Sequence, residues 1–235
     1  MLEILFLLIH FLNCFVQDGS FFGDSFIYSP QDTADFTTDI KIQFVTSESN
    51  GIILLALDRR DYLIVFVQGG DIYVKFNLGS GEEQISTLYR PQNDEYINEP
   101  EKANKSPESS NYQLTDSSIP NNYSDLQWHS IFIYRINDTL SLVVDGVSFG
   151  EVVAPGNSIQ LNLKYGVFIG GLGADPLDTL DKFKSGVPEA IRGYTNSKSF
   201  LASFRGCLAN IVFNGEDILS QANEFIYQLK RINSK

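Results

Sequence analysis

Two strands joined by a tight turn are encoded in Asp61-Tyr62-Leu63-Ile64-Val65-Phe66-Val67-Gln68-Gly69-Gly70-Asp71-Ile72-Tyr73-Val74-Lys75-Phe76-Asn77-Leu78-Gly79-Ser80-Gly81. The dipeptide Gly69-Gly70 tolerates the positive φ angles of a two-residue hairpin turn. With those glycines as the loop, pairing runs outward from Gln68–Asp71 through Val67–Ile72, Val65–Val74 and Leu63–Phe76. The last three pairs are entirely apolar, so this register predicts one fully buried face.

The same register places a carboxylate at one end of the hairpin. Asp61 lies opposite Leu78, with roughly 5 Å between their Cα atoms. A turn at Gly70-Asp71 would instead pair Asp61 with Ser80. The partner of Asp61 at this end of the hairpin therefore depends on which turn forms.

Composition limits the possible classes of protein. The chain has 235 residues, 18 Phe, 11 Tyr and a formal net charge of −12. The aromatic content favours sheets, and the length fits one large all-β domain or two small ones. The negative charge argues against a nucleic-acid-binding surface.

Short strands with frequent turn signals continue on both sides of the hairpin. Alternating or continuous apolar runs predict strands at 20–28 (with a glycine bend), 39–46, 52–57, 128–135, 139–144, 147–150, 159–163, 166–171 and 204–215. Residues 218–230 fit either a short helix or a last strand. This meander is typical of an antiparallel β-sandwich.

Two stretches interrupt the meander. Residues 88–125 are rich in Pro, Asn, Ser and Glu and predict a flexible insertion, with a domain boundary as the alternative. Residues 173–199 predict a second long loop, rich in Asp and Gly.

The amino terminus suggests secretion. Residues 1–17 contain an apolar run at 4–12, which fits a signal peptide or, alternatively, a hydrophobic first strand. Cys14 would leave with a signal peptide, so Cys207 would be unpaired, with its partner beyond Lys235 or its thiol buried. Asn104, Asn122 and Asn137 begin glycosylation sequons, in agreement with an extracellular protein.

Five motifs together resemble a known family. They are Trp128-His129, Val143-Val144-Asp145-Gly146, Phe168-Ile169-Gly170-Gly171, Phe204-Arg205-Gly206-Cys207 and the hairpin itself. Their order and spacing resemble laminin G-like domains, and the hairpin resembles the neurexin subgroup. The resemblance implies one laminin G-like domain over residues 20–235, with a jelly-roll-like antiparallel sandwich of the concanavalin A/laminin G type. It also implies an extracellular role in recognition and cell adhesion, and a Cys207 that commonly pairs with a later cysteine in the family.

The resemblance further implies a calcium ion at the rim of the sandwich. Its ligands map onto the Asp61 carboxylate, the Leu78 carbonyl, the Gln160 carbonyl and the Asn162 side-chain amide. One charge and three neutral oxygens predict weak binding, with a dissociation constant on the order of 10⁻⁴ to 10⁻³ M.

Simpler roles for the same residues remain open. Asp61 fits a surface ion pair with Arg59 or Arg60. Asp175, Asp178 and Asp181 either extend the calcium site or form a solvated acidic loop.

The sequence favours a binding module over an enzyme. No strand carries the Glu-x-Asp-x-Glu row that would supply a retaining glycosidase with paired carboxylates. His129 beside Ser130 does not by itself make a catalytic triad. We therefore expect calcium-dependent recognition of a protein receptor or an acidic glycan, on a secreted or cell-surface protein attached to a membrane only through a parent chain. The alternative is a structural module of an adhesion or matrix protein without a ligand of its own.

Overall fold

The computed structural model describes residues 19–88, 121–182 and 202–221. The strands, in chain order, are β1 (Gly19–Phe22), β2 (Ile27–Ser29), β3 (Thr33–Asp35), β4 (Thr37–Val45), β5 (Asn50–Leu57), β6 (Tyr62–Gln68), β7 (Asp71–Asn77), β8 (Glu82–Ser86), β9 (His129–Ile136), β10 (Thr139–Val144), β11 (Val147–Val153), β12 (Leu161–Leu163), β13 (Val167–Ile169), β14 (Arg205–Phe213) and β15 (Glu216–Asp217). The described residues also include two short helices, α1 (Pro176–Lys182) and α2 (Ile218–Gln221).

Two sheets of antiparallel strands face each other. The first has the order β1-β14-β4-β9-β10-β11, with β15 added to β14, and the second has the order β2-β13-β5-β6-β7-β8. Because side chains alternate along a strand, the inward residues of both sheets meet in one core, which includes Phe44, Ile133, Val65 and Phe76. A separate two-stranded sheet joins β3 to β12. The predicted all-β antiparallel sandwich is confirmed.

The β6–β7 hairpin has the register predicted from the sequence. Gln68 pairs with Asp71, and the three apolar pairs follow through Leu63 and Phe76. Gly69 and Gly70 form the turn with φ angles of 63° and 89°, which favour glycine at both positions. The alternative turn at Gly70-Asp71 is therefore wrong.

The second sheet is buried on both faces, which explains why β5 and β6 are apolar at nearly every position. Tyr62, Ile64 and Phe66 point away from the main core into a second cluster. That cluster also contains Phe168 of β13 and Leu180 of α1. The helix thus covers part of the outer face of the sheet.

The predicted strand 20–28 has its glycine bend, but the bend divides it into two strands. The chain forms β1 against β14 and, after a bend, β2 against β13 in the opposite sheet. The bend begins at Gly23, whose φ is 84°. The stretch therefore crosses from one sheet to the other.

Four elements were absent from the sequence prediction: β3, β8, the two-residue strand β15 and the helix α1. The strand β8 carries a single buried apolar residue, Ile85, because it lies at a sheet edge, where charged residues are common. The strand β3 has only three residues and is also mostly polar. The helix α1 falls inside the predicted loop 173–199, and the Asp175 carboxylate caps it by accepting the Asp178 N–H at 3.1 Å. An Asp at the N-cap followed by Pro at the first helical position is a common beginning of a helix, so Asp175-Pro176 could have predicted α1.

Cys207 is disulfide-bonded, so the expectation of an unpaired thiol is wrong. Its partner, the predicted signal peptide and most of the insertion lie outside the described residues. Of the ambiguous segment 218–230, residues 218–221 are helical. Neither α1 nor α2, nor any other helix within the described ranges, has the length and apolar character needed to cross a membrane.

A buried carboxylate next to the hairpin turn makes stability depend on pH. Asp71 is buried, and burial raises its pKa, although the Thr87 hydroxyl donates a hydrogen bond to Oδ1 at 2.9 Å. Because the pKa of Asp71 is higher in the folded state, burying the ionised carboxylate lowers the free energy of unfolding at any pH above the folded-state pKa. Below 3.8, the pKa of Asp71 in the unfolded chain, the carboxyl is protonated in both states and this loss of stability disappears.

We therefore expect Asp71→Asn to increase the free energy of unfolding at pH 7, with the gain vanishing as the pH falls below 3.8. Urea denaturation at several pH values measures this difference. The control is Asp39→Asn, an exposed carboxylate on β4, which should stay within about 0.5 kcal/mol of the parent. If Asp71→Asn raised the free energy of unfolding by the same amount at pH 7 and below pH 3.8, the effect of the buried charge would be contradicted.

Candidate metal centre at the rim

The hairpin brings Asp61 to the rim of the sandwich beside the end of β7. We call this place, with Asp61, the Leu78–Gly79 backbone, Gln160 and Asn162, the Asp61 rim. Tyr62 pairs with Asn77, so Asp61 and Leu78 are the next residues along the same register. The Asp61 carbonyl accepts the Asp58 N–H at 2.8 Å, which closes the tight turn between β5 and β6. The predicted proximity of Asp61 and Leu78 is confirmed.

The Asp61 carboxylate is buried, with a relative exposure of only 6%. Its Oδ2 atom accepts the backbone N–H of Asn162 at 3.0 Å and the Asn162 side-chain amide at 2.5 Å. The ion pairs of the described residues do not join Asp61 to Arg59 or Arg60. The surface ion pair considered for Asp61 is therefore wrong.

The backbone after β7 is held close to this carboxylate. The Asn77 side-chain oxygen accepts the N–H groups of Gly79 and Gly81 at 2.7 and 3.2 Å. A Cβ atom placed on Gly79 would lie 3.2 Å from Asp61 Oδ1 and 4.0 Å from Ser158 Oγ. Residues 78–79 therefore pass directly beside the acidic side chain.

The remaining predicted ligands lie in β12 and immediately before it. Asn162 pairs with Ala34 of β3, and its half-buried side chain faces Asp61. Gln160 immediately precedes this strand and is half-buried. Of the four predicted ligands, the contacts of the structure bring Asp61, Asn162 and the Leu78–Gly79 backbone together, and Gln160 lies two residues from Asn162.

A buried arginine supports this part of the rim. Arg135, with 0% exposure, donates hydrogen bonds to the carbonyl oxygens of Asp35 (2.7 Å), Phe36 (3.4 Å), Asn137 (2.5 Å) and Ile159 (3.2 Å) and to the Thr38 hydroxyl (3.0 and 3.1 Å). It thereby links the β3–β4 and β9–β10 connections to the segment leading into Gln160. Burial lowers the pKa of Arg135, and the negative charges of Asp35 and Asp61 act in the opposite direction.

The sequence prediction missed Arg135, although its position in β9 carried a signal. Ile131 and Ile133 are fully buried, and Arg135 is the next residue in that inward-facing series. A charge at an inward position of an alternating strand implies a dedicated set of hydrogen-bond acceptors.

The residues at the rim have the chemistry that a calcium ion requires. Calcium binds oxygen ligands from carboxylates, amides and backbone carbonyls. Asp61 supplies a buried carboxylate, and the Asn162 amide that now donates to it presents an oxygen when rotated. In the described part of the chain, His, Cys, Asp and Glu side chains do not gather in threes as metal ligands, so such a site relies on neutral oxygens.

The other acidic candidates lie at or within the helix α1. Asp175 caps α1, and Asp178 lies exposed in its first turn, so these two residues belong to the helix. Asp181 lies further along the same helix.

His129 and Ser130 are not arranged as a nucleophile and base. The two ring nitrogens of His129 lie 2.7 Å from Asp145 Oδ2 and 2.9 Å from Asp125 Oδ1, and the Ser130 hydroxyl donates to Asp145 Oδ1 at 3.2 Å. Burial raises the pKa of Asp125, but the Gln127 N–H and His129 outweigh it, so this pKa lies below its usual value. The cluster ties the chain before β9 to the β10–β11 turn.

Two of the three sequons lie within the described residues. Asn122 and Asn137 are exposed, and Asn104 lies outside the described ranges. The Asn122 side-chain oxygen accepts the Ser124 N–H at 3.1 Å. Asn137 occupies the β9–β10 turn with a φ of 54°.

Sequence comparison identifies relatives among large proteins. Chondroitin sulfate proteoglycan 4 of Rattus norvegicus is 25% identical over 201 residues, which are 86% of this chain and 7% of that protein. Neurexin-3a of Danio rerio is 28% identical over 184 residues, covering 77% of this chain and 8% of that protein. The chain thus spans less than a tenth of the length of either relative.

Structure comparison supports the same fold. Domains LG4-5 of the mouse laminin alpha1 chain match with a TM-score of 0.58 and 17% identity, covering 91% of this chain and 44% of that one. The LG1-3 region of the laminin alpha2 chain matches with a TM-score of 0.56 and 16% identity, covering 86% and 32%. The sequence profile described as "Laminin G domain" matches residues 44–98 and 105–216, which include the hairpin, the Asp61 rim and Cys207. The chain therefore belongs to the laminin G domain family.

Proposed function

We propose that this domain is an extracellular recognition and adhesion module that binds its partner through a weak calcium site at the Asp61 rim. The observation that carries the proposal is a buried carboxylate with no ion-pair partner among the described residues, in contact with a side-chain amide and a backbone turn. Calcium would be held by the Asp61 carboxylate, the Asn162 amide and the carbonyls of Leu78 and Gln160. When bound, it supplies coordination positions for an oxygen of the partner.

The charge arrangement favours weak binding. One carboxylate is set against a divalent ion, and Arg135 places a positive charge within electrostatic reach of Asp61. Extracellular calcium modules with few charged ligands have dissociation constants on the order of 10⁻⁴ to 10⁻³ M. Such a site is filled mainly at extracellular calcium concentrations.

The net charge explains why the partner would need the metal. A protein with a formal charge of −12 repels a carboxylate or sulfate ester at long range. Calcium at the rim reverses the local sign and offers those oxygens a direct ligand position. An acidic glycan or an acidic side chain of a receptor protein fits this chemistry, and neither requires an enzymatic step.

Calcium should stabilise the fold by mass action. With the dissociation constant above, about 10 mM calcium exceeds it about 10- to 100-fold and adds about 1.4–2.7 kcal/mol to the free energy of unfolding. For a domain of this size the melting temperature should rise by about 3–10 °C. Calorimetric melting in calcium, magnesium and chelator measures the effect, and an equal rise in magnesium would count against the site.

A glycan array probed with and without chelator tests the recognition function. The proposal predicts binding to acidic glycans, or to a protein receptor in a parallel receptor screen, that disappears in chelator and in the Asp61→Ala variant. Binding that persists in chelator would overturn the calcium requirement. Silence in both screens would favour a structural module without its own ligand.

A further inference from the structure

A row of apolar side chains lies on the solvent face of a central strand. Phe132, Tyr134 and Ile136 alternate along β9 with relative exposures of 44%, 49% and 47%. Successive members are two residues apart, so the row is about 13 Å long. Contiguous exposed apolar side chains raise the question of which group covers them.

The row is narrow because its neighbours are mostly polar. Lys41, Asp39 and Thr37 of β4 pair with its three members on one side. On the other side Val143, Ser141 and Thr139 of β10 pair with them. Exposed Val153 of β11 lies beyond Thr139 on the same face. A stable protein interface buries about 1,200–2,000 Å², which these few partly exposed side chains do not provide. A sugar ring, with an apolar C–H face and hydroxyl edges, fits an apolar row with polar borders.

An attachment point for sugar lies at the end of this row. Asn137 follows Ile136 directly and begins the sequon Asn137-Asp138-Thr139. Its backbone is fixed, since its N–H donates to the Phe36 carbonyl at 2.7 Å and its carbonyl accepts Arg135. Among the described residues, no hydrogen bond engages its exposed side-chain amide. The side chain is thus open to modification while the turn that carries it is rigid.

We propose that Asn137 carries an N-linked oligosaccharide whose first sugars lie along Phe132, Tyr134 and Ile136. In the modification, the Asn137 amide nitrogen forms a bond to the anomeric carbon of a lipid-linked diphosphate oligosaccharide. The bond from that carbon to the diphosphate oxygen breaks, the lipid diphosphate leaves with the bonding electrons, and the amide loses one proton. The inference rests on the extracellular role proposed above, because a protein receives sugar from the lipid-linked oligosaccharide only when it passes through the secretory pathway.

The tether makes a weak contact sufficient. Each ring contact with an exposed side chain is small, but covalent attachment replaces a bimolecular encounter by an intramolecular one at high effective concentration. The polar borders at Asp39, Lys41 and Ser141 supply hydrogen-bond partners for the hydroxyl edges. The glycan would therefore shield the apolar row from solvent and from other copies.

The test compares the chain secreted from a glycosylating eukaryotic host with its Thr139→Ala variant, which lacks the Asn137 sequon. The matched control, Thr139→Ser, keeps the sequon and the hydroxyl. Mass spectrometry measures occupancy of Asn137, an apolar fluorescent dye reports the exposed row, and sedimentation reports self-association. We expect occupied Asn137 in the parent and control, and severalfold stronger dye binding with self-association in Thr139→Ala.

A second change separates loss of the glycan from damage to the turn. Adding Phe132→Ser and Tyr134→Ser to Thr139→Ala should abolish the extra dye binding, because the apolar row itself is gone. Unoccupied Asn137, or dye binding that does not respond to removal of the sugar, would overturn the inference. Calcium titration of the same samples keeps the outcomes distinct, since failure of the glycan inference leaves calcium binding intact and failure of the calcium site leaves Asn137 occupied.

Discussion

Replacing Arg135 with methionine should lower the free energy of unfolding by about 3–5 kcal/mol, because each buried carbonyl left without a donor costs about 1–3 kcal/mol. The guanidinium donates to four carbonyl oxygens and to the Thr38 hydroxyl, and methionine fills a similar volume without any donor. The Phe36 carbonyl still accepts the Asn137 N–H at 2.7 Å, so the carbonyls of Asp35, Asn137 and Ile159 are the ones affected. We expect the remaining donor to the Phe36 carbonyl and local relaxation of the loops to keep the total below the sum of the separate costs. Urea denaturation followed by circular dichroism measures the change.

Two further variants make this result interpretable. Arg59→Met removes an exposed arginine near the same rim and should change stability by about 0.5 kcal/mol or less. Arg135→Lys keeps the charge but loses the fork, so it should fall between the parent and Arg135→Met, and it remains measurable if methionine prevents folding. A loss in Arg135→Met no larger than that in Arg59→Met would refute the role of the guanidinium.

Replacing Asp61 with alanine should weaken calcium binding at least tenfold, to a level that titration calorimetry no longer detects. The variant removes the single carboxylate of the proposed ligand set, and the loss of one charged ligand is worth more than about 1.4 kcal/mol of binding free energy. Asp39→Ala, an exposed carboxylate on β4, should bind calcium like the parent.

A substitution that adds a charge at Asn162 tests whether this residue is a calcium ligand. Asn162→Asp places a second carboxylate beside Asp61, where Oδ2 now accepts the amide at 2.5 Å. We expect lower stability in chelator, from repulsion between the two charges, and tighter calcium binding than in the parent. A variant destabilised equally with and without calcium would indicate that Asn162 is only a structural partner of Asp61.

The sequence predicted the hairpin well because two independent patterns agree there. The apolar pairs from Leu63–Phe76 to Val67–Ile72 favour one register, and Gly69-Gly70 permits the turn that this register needs. The approach of Asn162 to Asp61 joins residues 101 positions apart, and no local pattern encodes such a contact. Only the family resemblance suggested it.

The sequence prediction missed other features, either because their local sequence signals are weak or because a signal that was present was not used. The strand β8 is polar because it lies at an edge, and β1 and β2 come from one stretch that crosses between the sheets after the bend at Gly23. Arg135 stood in an inward position of an alternating strand but was assigned no partners, because its acceptors are backbone carbonyls, which the sequence does not specify. The structure therefore adds the scaffold of the rim to the ligands that the sequence predicted.

The most direct test of the calcium site is the crystal structure of the domain grown in calcium, with anomalous scattering recorded at long wavelength. The proposal predicts a peak at the rim about 2.3–2.6 Å from oxygens of Asp61, Leu78, Gln160 and Asn162, with the Asn162 amide turned oxygen-first. An empty rim at saturating calcium, with the Asn162 amide still donating to Asp61, would contradict it.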